Sequence, residues 1–457
     1  MTDNIKVLAI RAGMSGSPGR DAMQALIFPL LAQATPPGFD LSFSDDRTEK
    51  VPDNPEAALI AISVETFAAR RAYQLADQYR AQGKTVCLGG FHPSACPDEA
   101  SAHADTVIVG DAEDTWPQLL RDFAAGSLKP RYVSSMSAPL AALEGRREIL
   151  KGRRYLPLGM LETSRGCRWN CDFCSIQAMY KGCLRAKPIA DIAAELREIP
   201  QRILFLSDDN IFRQDGSFEP LLAALKASGK RWACQISMEA LRSDENLRRL
   251  QDSGCILVLV GFESLNEGNL ADMGKVQNRS PGKIRAESPA GSAQVLGYED
   301  LVRRVYAHGL MIYATFVVGY DHDGPDTFDK MLDFALRMNF TVANFNPLIP
   351  MPGTALYERL EQEGRLLKPE WWIDPGYRYG ETTFAPRGMT PKELEDGCFR
   401  IRSAFYSKEG IRRRFRGNPL HRKPLGAFVY QTANQISRLE IKRKQGQALS
   451  VGSDRRR

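Results

Sequence analysis

Short apolar runs alternate with amphipathic stretches along most of the 457-residue chain. Lys6 to Ile10 (KVLAI), Asp40 to Phe43, Ala58 to Ser63 (ALIAIS), Thr85 to Leu88 (TVCL) and Thr106 to Val109 (TVIV) are continuous rather than alternating. Runs of this length, separated by helical segments, predict parallel strands covered on both faces. Residues 1–135 therefore read as a doubly wound, Rossmann-like domain. Ligands of such sheets sit at the carboxyl ends of the strands. That directs attention to the loops at 11–20, 63–66, 89–93 and 110–114, which carry Gly, Ser, Thr and Asp.

A linker of mixed charge and little periodicity runs from Ser134 to Pro157, and the alternation then resumes. Leu158–Thr163, Arg202–Ser207, Arg231–Ser237, Cys255–Gly261, Met311–Gly319 and Val342–Leu348 are strand candidates, with helices such as Ile189–Arg197 and Asp244–Ser253 between them. Residues 150–350 thus predict a partial (βα)6 TIM-type barrel with its chemistry at the strand carboxyl ends. Ser280–Gly297, rich in Gly, Pro, Ser and Ala, interrupts the pattern as a flexible insertion. Residues 351–457 become a mostly helical extension, aromatic and finally basic. The fold class is α/β.

Composition removes several alternatives. With 43% hydrophobic and 25% charged residues the chain is ordinary globular protein, not disordered. The longest apolar runs, Ile256–Phe262 and Met311–Tyr320, fall short of the ~18 residues of a membrane span. The amino terminus carries no basic region followed by an apolar core, so a cytoplasmic protein is expected. Nine cysteines are too sparse for a disulfide scaffold and read as thiols, metal ligands or catalytic groups. The net charge of +6 is uneven: residues 411–457 hold thirteen Lys or Arg against two Asp or Glu, leaving the rest at −5. Such a tail is either a solvated end or a contact for nucleic acid or an anionic surface.

The densest chemistry is TSRGCRWNCDFCS, in which Cys167, Cys171 and Cys174 follow the first barrel strand at C-x3-C-x2-C spacing. Three thiolates in eight residues can wrap one 4Fe–4S cluster and leave one iron open for a further ligand. A zinc site would need a fourth ligand, for which Cys183 is at hand. A cluster that only staples the fold is the remaining reading.

This motif, with Phe173 directly before the last cysteine, resembles the radical S-adenosylmethionine superfamily. The resemblance implies that the open iron is chelated by S-adenosylmethionine, which the reduced cluster cleaves to a 5′-deoxyadenosyl radical. It also implies an external one-electron reductant such as flavodoxin or ferredoxin, and a small-molecule substrate. Phe173 joins the S-adenosylmethionine site by this resemblance. Asp208 and Asp209, in LFLSDDN, stand where the family accepts hydrogen bonds from the methionine ammonium, although both also suit helix capping. Gln235 and Ser237 share one face of the third strand with Glu239 and point inward as ribose or substrate contacts. Glu263 ends the fourth strand as a contact or a structural ion pair, and Gly319 ends the fifth, where adenine would approach the backbone.

ISVET, LGGFHPSACPDEA and VIVGDAEDTW resemble the cobalamin-binding domain that precedes the barrel in one branch of the superfamily. The extension resembles that of the hopanoid methylases. Ser63, Thr66, Gly89, Gly90, His92 and Gly110 are the implied cobalamin contacts. The D-x-H-x-x-G motif that supplies a histidine to cobalt is absent from the 11–21 loop. The implied activity is methyl transfer to an unactivated carbon of a lipid, tetrapyrrole or natural product. Oxidative cyclisation and transfer of another S-adenosylmethionine fragment are the alternatives within the class. A nucleic-acid enzyme, the reading from another class, would rest on the tail alone, without an RNA-binding pattern elsewhere. Met351, Tyr357, Trp371, Trp372, Tyr377 and Tyr379 line an apolar substrate entrance or pack the core of the extension.

Overall fold

A computed structural model describes residues 4–15, 19, 22–279 and 297–449; the expected insertion at 280–297 lies outside them except for Gly297. The first six strands, Ile5–Arg11, Phe39–Asp45, Leu59–Ser63, Thr85–Gly89, Thr106–Val109 and Arg131–Val133, form one parallel sheet in the order 2-1-3-4-5-6. The order reverses at the first strand. The crevice between strands one and three, at Arg11 and Ser63, is therefore the topological switch point where such sheets bind ligands. Helices on both faces bury the apolar runs, Ala69–Ala81 on one side and Ile27–Ala34 with Ala112–Ala124 on the other.

Six further strands, Gly159–Leu161, Ile203–Leu206, Arg231–Gln235, Cys255–Glu263, Met311–Val318 and Val342–Pro347, pair in parallel and in chain order. The first and sixth do not meet, so the barrel is open. Its core is contributed by alternate strand residues such as Val258, Val260 and Phe262, with Phe262 stacked at 5.6 Å on Phe316.

The carboxyl-terminal helices Pro391–Phe405, Lys408–Gly417 and Pro424–Lys444 close the free edge of the sixth strand. Tyr406 does this with one hydroxyl, which accepts from the Ala343 amide at 3.1 Å and donates to the Ala343 carbonyl at 3.0 Å. Arg414, fully buried, donates to the carbonyls of Phe340, Thr341 and Phe405 and to the Asn434 amide oxygen. The extension also reaches the other sheet: Trp371, Trp372 and Tyr377 are core residues of the Rossmann-like domain. Of the six apolar and aromatic residues expected at an entrance, these three are packed away. No helix among the described residues is long and apolar enough to cross a membrane.

Candidate active site

The cysteine loop is closed at its base. Ser164–Arg165 pairs antiparallel with Arg185–Ala186, and the residues between carry the three cysteines and the short helix Ser175–Tyr180. Gly166 turns into the loop at φ +91°, and any Cβ there would strike the Cys183 carbonyl. Cys171 is buried, while Cys167 and Cys174 are half-buried. Burial pushes all three thiols up, Cys171 to about 11, against several opposing contacts. Gln277 donates its amide to Cys171 Sγ at 3.7 Å. The amides of Gln177 and Ile176 face Cys174, and the Lys275 ammonium favours the thiolate of all three.

Among the described residues no three His, Cys, Asp or Glu side chains close into a single-ion site. A four-iron cluster holds its thiolates farther apart than one ion does. Three thiols ringed by N–H donors and one cation suit such a cluster. Cys183, the fourth ligand a zinc site would need, is exposed.

Lys275 is anchored by Glu263 at 2.8 Å. Glu263 adopts φ +62°, and a Cβ on Gly261 would collide with the pair, so one left-handed residue and one bare glycine serve this contact. The sequence alone points to Glu263 without its partner; Lys275 and Gln277 lie in GKVQN, where nothing marks either as facing the cysteines.

The two aspartates after the second strand have different surroundings. Asp208 is buried and accepts from the Thr163 amide at 2.7 Å, the Ser164 hydroxyl at 2.6 Å and the Thr163 hydroxyl. Its lone pairs are occupied within the barrel. Asp209 accepts from the Gly166 amide at 2.8 Å and faces a cavity, and burial pushes it up to about 6. Gln235 is exposed and donates to the Asp209 carbonyl at 2.9 Å; the third strand ends there, so the shared face expected with Ser237 and Glu239 is not formed, and both are half-buried in the turns that follow. Phe173 packs edge-on to Tyr320. Gly319 has φ +121°, and its missing side chain faces Leu394 and Phe384 of the extension.

The cavity beside Asp209, about 450 Å³, lies between the carboxyl ends of both sheets. Ser63, Gly89 and Gly110 line it from the Rossmann-like domain, above an apolar slot that includes Leu31, Ala61 and Ile108. Gly90 also borders it, at φ +107°, where a Cβ would stand 2.8 Å from the Val64 carbonyl oxygen. Thr66 lies outside the lining. So does His92, which is fully buried: its Nε2 meets Glu99 at 2.9 Å, and Glu99 also accepts from Tyr73 and Trp372. The expected loop histidine is thus part of a buried polar cluster under the extension.

A belt of charges that sequence reading missed joins the two domains at this cavity. Arg165 meets Glu113 at 2.8 Å and Asp111 at 3.3 Å, Arg185 also pairs with Asp111, and Glu162 holds Arg165 from behind. The pairs that cross between the domains are far apart in sequence, Asp111 and Arg185 by 74 positions, and no pattern links them.

Two family models match the chain: the radical SAM superfamily over residues 161–335 and a domain of unknown function, DUF4070, over residues 354–450. Bacteriochlorophyllide d C-12(1)-methyltransferase of Chlorobaculum tepidum is 30% identical over 84% of this chain and 82% of its own. The chain belongs to the radical SAM superfamily. It is an enzyme of the branch in which a Rossmann-like domain precedes the barrel, a family that uses a 4Fe–4S cluster and S-adenosylmethionine. Bacteriochlorophyllide d C-8(2)-methyltransferase of the same organism is 26% identical over 75% of this chain and 77% of its own. Among solved structures, the cobalamin-dependent S-adenosylmethionine radical enzyme OxsB, with aqua-cobalamin bound, covers 96% of this chain and 72% of its own, with a TM-score of 0.65 and 14% identity. The last likeness concerns the fold.

Proposed function

We propose that this enzyme is a cobalamin-dependent methyltransferase acting on a side-chain carbon of a chlorophyll-type tetrapyrrole. The observation that carries this reading is the similarity, over most of the chain, to two methyltransferases named for bacteriochlorophyllide d. When bound, the reduced cluster with S-adenosylmethionine supplies a 5′-deoxyadenosyl radical, and cobalamin supplies the methyl group.

The residues of the chain support those groups in distinct ways. Gln277 and Lys275 stabilise thiolates at the cysteine loop, and Asp208 fixes the end of the first strand through Thr163 and Ser164. Asp209, with one carboxylate oxygen held by Gly166, presents its charge to the cavity as an acceptor for an ammonium. Gly89 and Gly110 leave the cavity floor bare for a flat corrin, and the apolar slot beneath takes an aromatic base. The ion-pair belt of Arg165, Arg185, Asp111 and Glu113 ties the domains together around the cavity and keeps water out. Electrons come from an external donor such as flavodoxin or ferredoxin in the cytoplasm.

Anaerobic incubation of the reconstituted enzyme with S-adenosylmethionine, methylcobalamin, reductant and a bacteriochlorophyllide tests the reading. The expected products are 5′-deoxyadenosine and a pigment one methyl group heavier. Deoxyadenosine with a dehydrogenated or cyclised pigment would replace methyl transfer by oxidative cyclisation.

A further inference from the structure

The basic end of the chain, which the proposed reaction does not use, falls on a well-built surface. Helix Pro424–Lys444 turns Gly426, Tyr430 and Asn434 inward, each about one turn from the next. The Tyr430 hydroxyl donates to the Ile411 carbonyl at 2.7 Å, and Asn434 donates to the Thr341 carbonyl at 2.9 Å. A Cβ on Gly426 would strike the Leu420 carbonyl. These contacts fix the rotation of the helix about its own axis. Phe428, Thr432, Gln435 and Leu439, at helical spacing, therefore share the opposite face, and all four are exposed. Phe428 is 57% and Leu439 65% exposed, about 16 Å apart along the axis.

Both ends of this face are cationic. Arg422 and Lys423 precede the helix, and Lys442 and Arg443 lie in its last turn, all exposed. The preceding helix, Lys408–Gly417, packs Phe415 against Tyr430 at 5.6 Å and adds the exposed Arg412, Arg413 and Arg416. Among the described residues, Arg412, Arg413, Arg416, Arg422, Lys423 and Lys442 have no carboxylate within ion-pair distance. Between Lys408 and Lys444 the carboxylates are Glu409 and Glu440, and Glu440 is engaged by Lys444 at 2.6 Å. Cations without counter-charges call for an anionic partner, and two large apolar side chains among them call for one with an apolar interior.

We propose that this face docks on an anionic membrane surface. Phe428 and Leu439 enter the boundary between headgroups and acyl chains, and the cations around them meet lipid phosphates. The contact lies on one leaflet, in keeping with described helices none of which is long and apolar enough to cross. The outward side of a single helix offers a nucleic acid no row of aromatic rings on which to stack bases. Two apolar side chains separated by Thr432 and Gln435 also leave too little apolar area for the core of a standard protein interface. Such docking is independent of which substrate the enzyme methylates.

Sedimentation of the cluster-loaded full chain with vesicles of phosphatidylcholine, alone or mixed with phosphatidylglycerol, tests this surface. The wild type is expected to bind the mixed vesicles at least about tenfold more tightly than the neutral ones, and to lose that preference at high salt. Phe428→Ser with Leu439→Ser should weaken binding to the mixed vesicles roughly tenfold. Arg412→Gln, Arg416→Gln and Lys423→Gln together should weaken it roughly a hundredfold, at about fivefold per lost charge. All five positions are exposed, so iron content and thermal unfolding of both variants should match the wild type. Equal binding to both vesicle types, binding to neither, or undiminished binding by the serine variant would overturn the proposal. So would tighter binding to a single-stranded RNA that the serine substitutions leave unchanged, which would give the cations to nucleic acid. A dimer in velocity sedimentation that the serine substitutions dissolve would give the apolar face to a second copy and overturn it too.

Discussion

Lys275 and Glu263 meet at 2.8 Å beside the cysteine loop, an ion pair with both side chains almost out of solvent. Its cation also faces the thiols, so one lysine serves a structural carboxylate and the cluster ligands together. Lys275→Met should destabilise the apoprotein in urea by roughly 3–5 kcal/mol, because a buried carboxylate is left unpaired. Adding Glu263→Gln should restore most of that stability. Iron retention after anaerobic reconstitution should remain low in both variants, since the positive charge is gone from each. Recovery of iron in the double variant would show that the lysine acts on the fold alone.

Replacing Cys167, Cys171 and Cys174 together by Ala should remove the visible absorption of the reconstituted protein, whereas Cys183→Ser should keep it. Iron and sulfide analysis checks both outcomes, and about four irons per chain are expected in the wild type.

Asp208 and Asp209 should separate cleanly. Asp209→Ala is expected to weaken S-adenosylmethionine binding to the cluster-loaded protein by roughly tenfold or more, with little change in unfolding. Asp208→Ala should instead lower stability by roughly 1–3 kcal/mol, because the Thr163 amide and the Ser164 hydroxyl lose their buried acceptor. Equilibrium binding and urea unfolding on the same two variants give the comparison.

Two neighbouring glycines answer different questions. A Cβ on Gly89 would stand at van der Waals distance from Ile108, and Gly89 lines the cavity between the sheets, so Gly89→Val should cut hydroxocobalamin uptake while the cluster spectrum persists. Gly90→Val should misfold the domain, since both its φ of +107° and the Val64 carbonyl forbid a side chain. Undiminished corrin uptake by Gly89→Val, read from the visible spectrum, would place the cofactor elsewhere.

His421 gives the extension a pH dependence. Burial, with the nearby Arg414 cation, lowers its pKa to about 4; Nδ1 faces the Arg414 carbonyl and Nε2 the Thr341 hydroxyl. The unfolded chain binds the proton more readily. The stabilisation is therefore complete above about pH 6.5 and declines as pH falls toward about 4. Between pH 7.5 and 5.5 this residue should cost on the order of 1 kcal/mol, a slope that His421→Gln should remove from thermal unfolding curves.

Continuous apolar runs made most strands of both sheets legible before any coordinates. Arg131–Val133 escaped because three residues at a sheet edge carry no periodicity. The first barrel strand is only Gly159–Leu161, shorter than its apolar run, because Thr163 turns its amide to Asp208 and Ser164 pairs with Ala186 instead. The cysteine loop stood out in the sequence because its three thiols fall within eight residues. His92 did not: its fate depends on Glu99 and on Trp372, which lies 273 positions beyond Glu99.

Tyr406 answers both backbone groups of Ala343, on the free edge of the sixth strand, with one hydroxyl. The extension is consequently no detachable module, and this bears on where such a chain can be cut. A fragment ending before residue 391 would keep every barrel strand yet present an unpaired apolar edge, an invitation to pair with another copy. Even Tyr406→Phe, which keeps the ring, leaves the Ala343 amide and carbonyl unanswered in a dry setting. Such a strand is a point of self-association, so engineering by domain exchange in this architecture should carry the extension along with its own barrel.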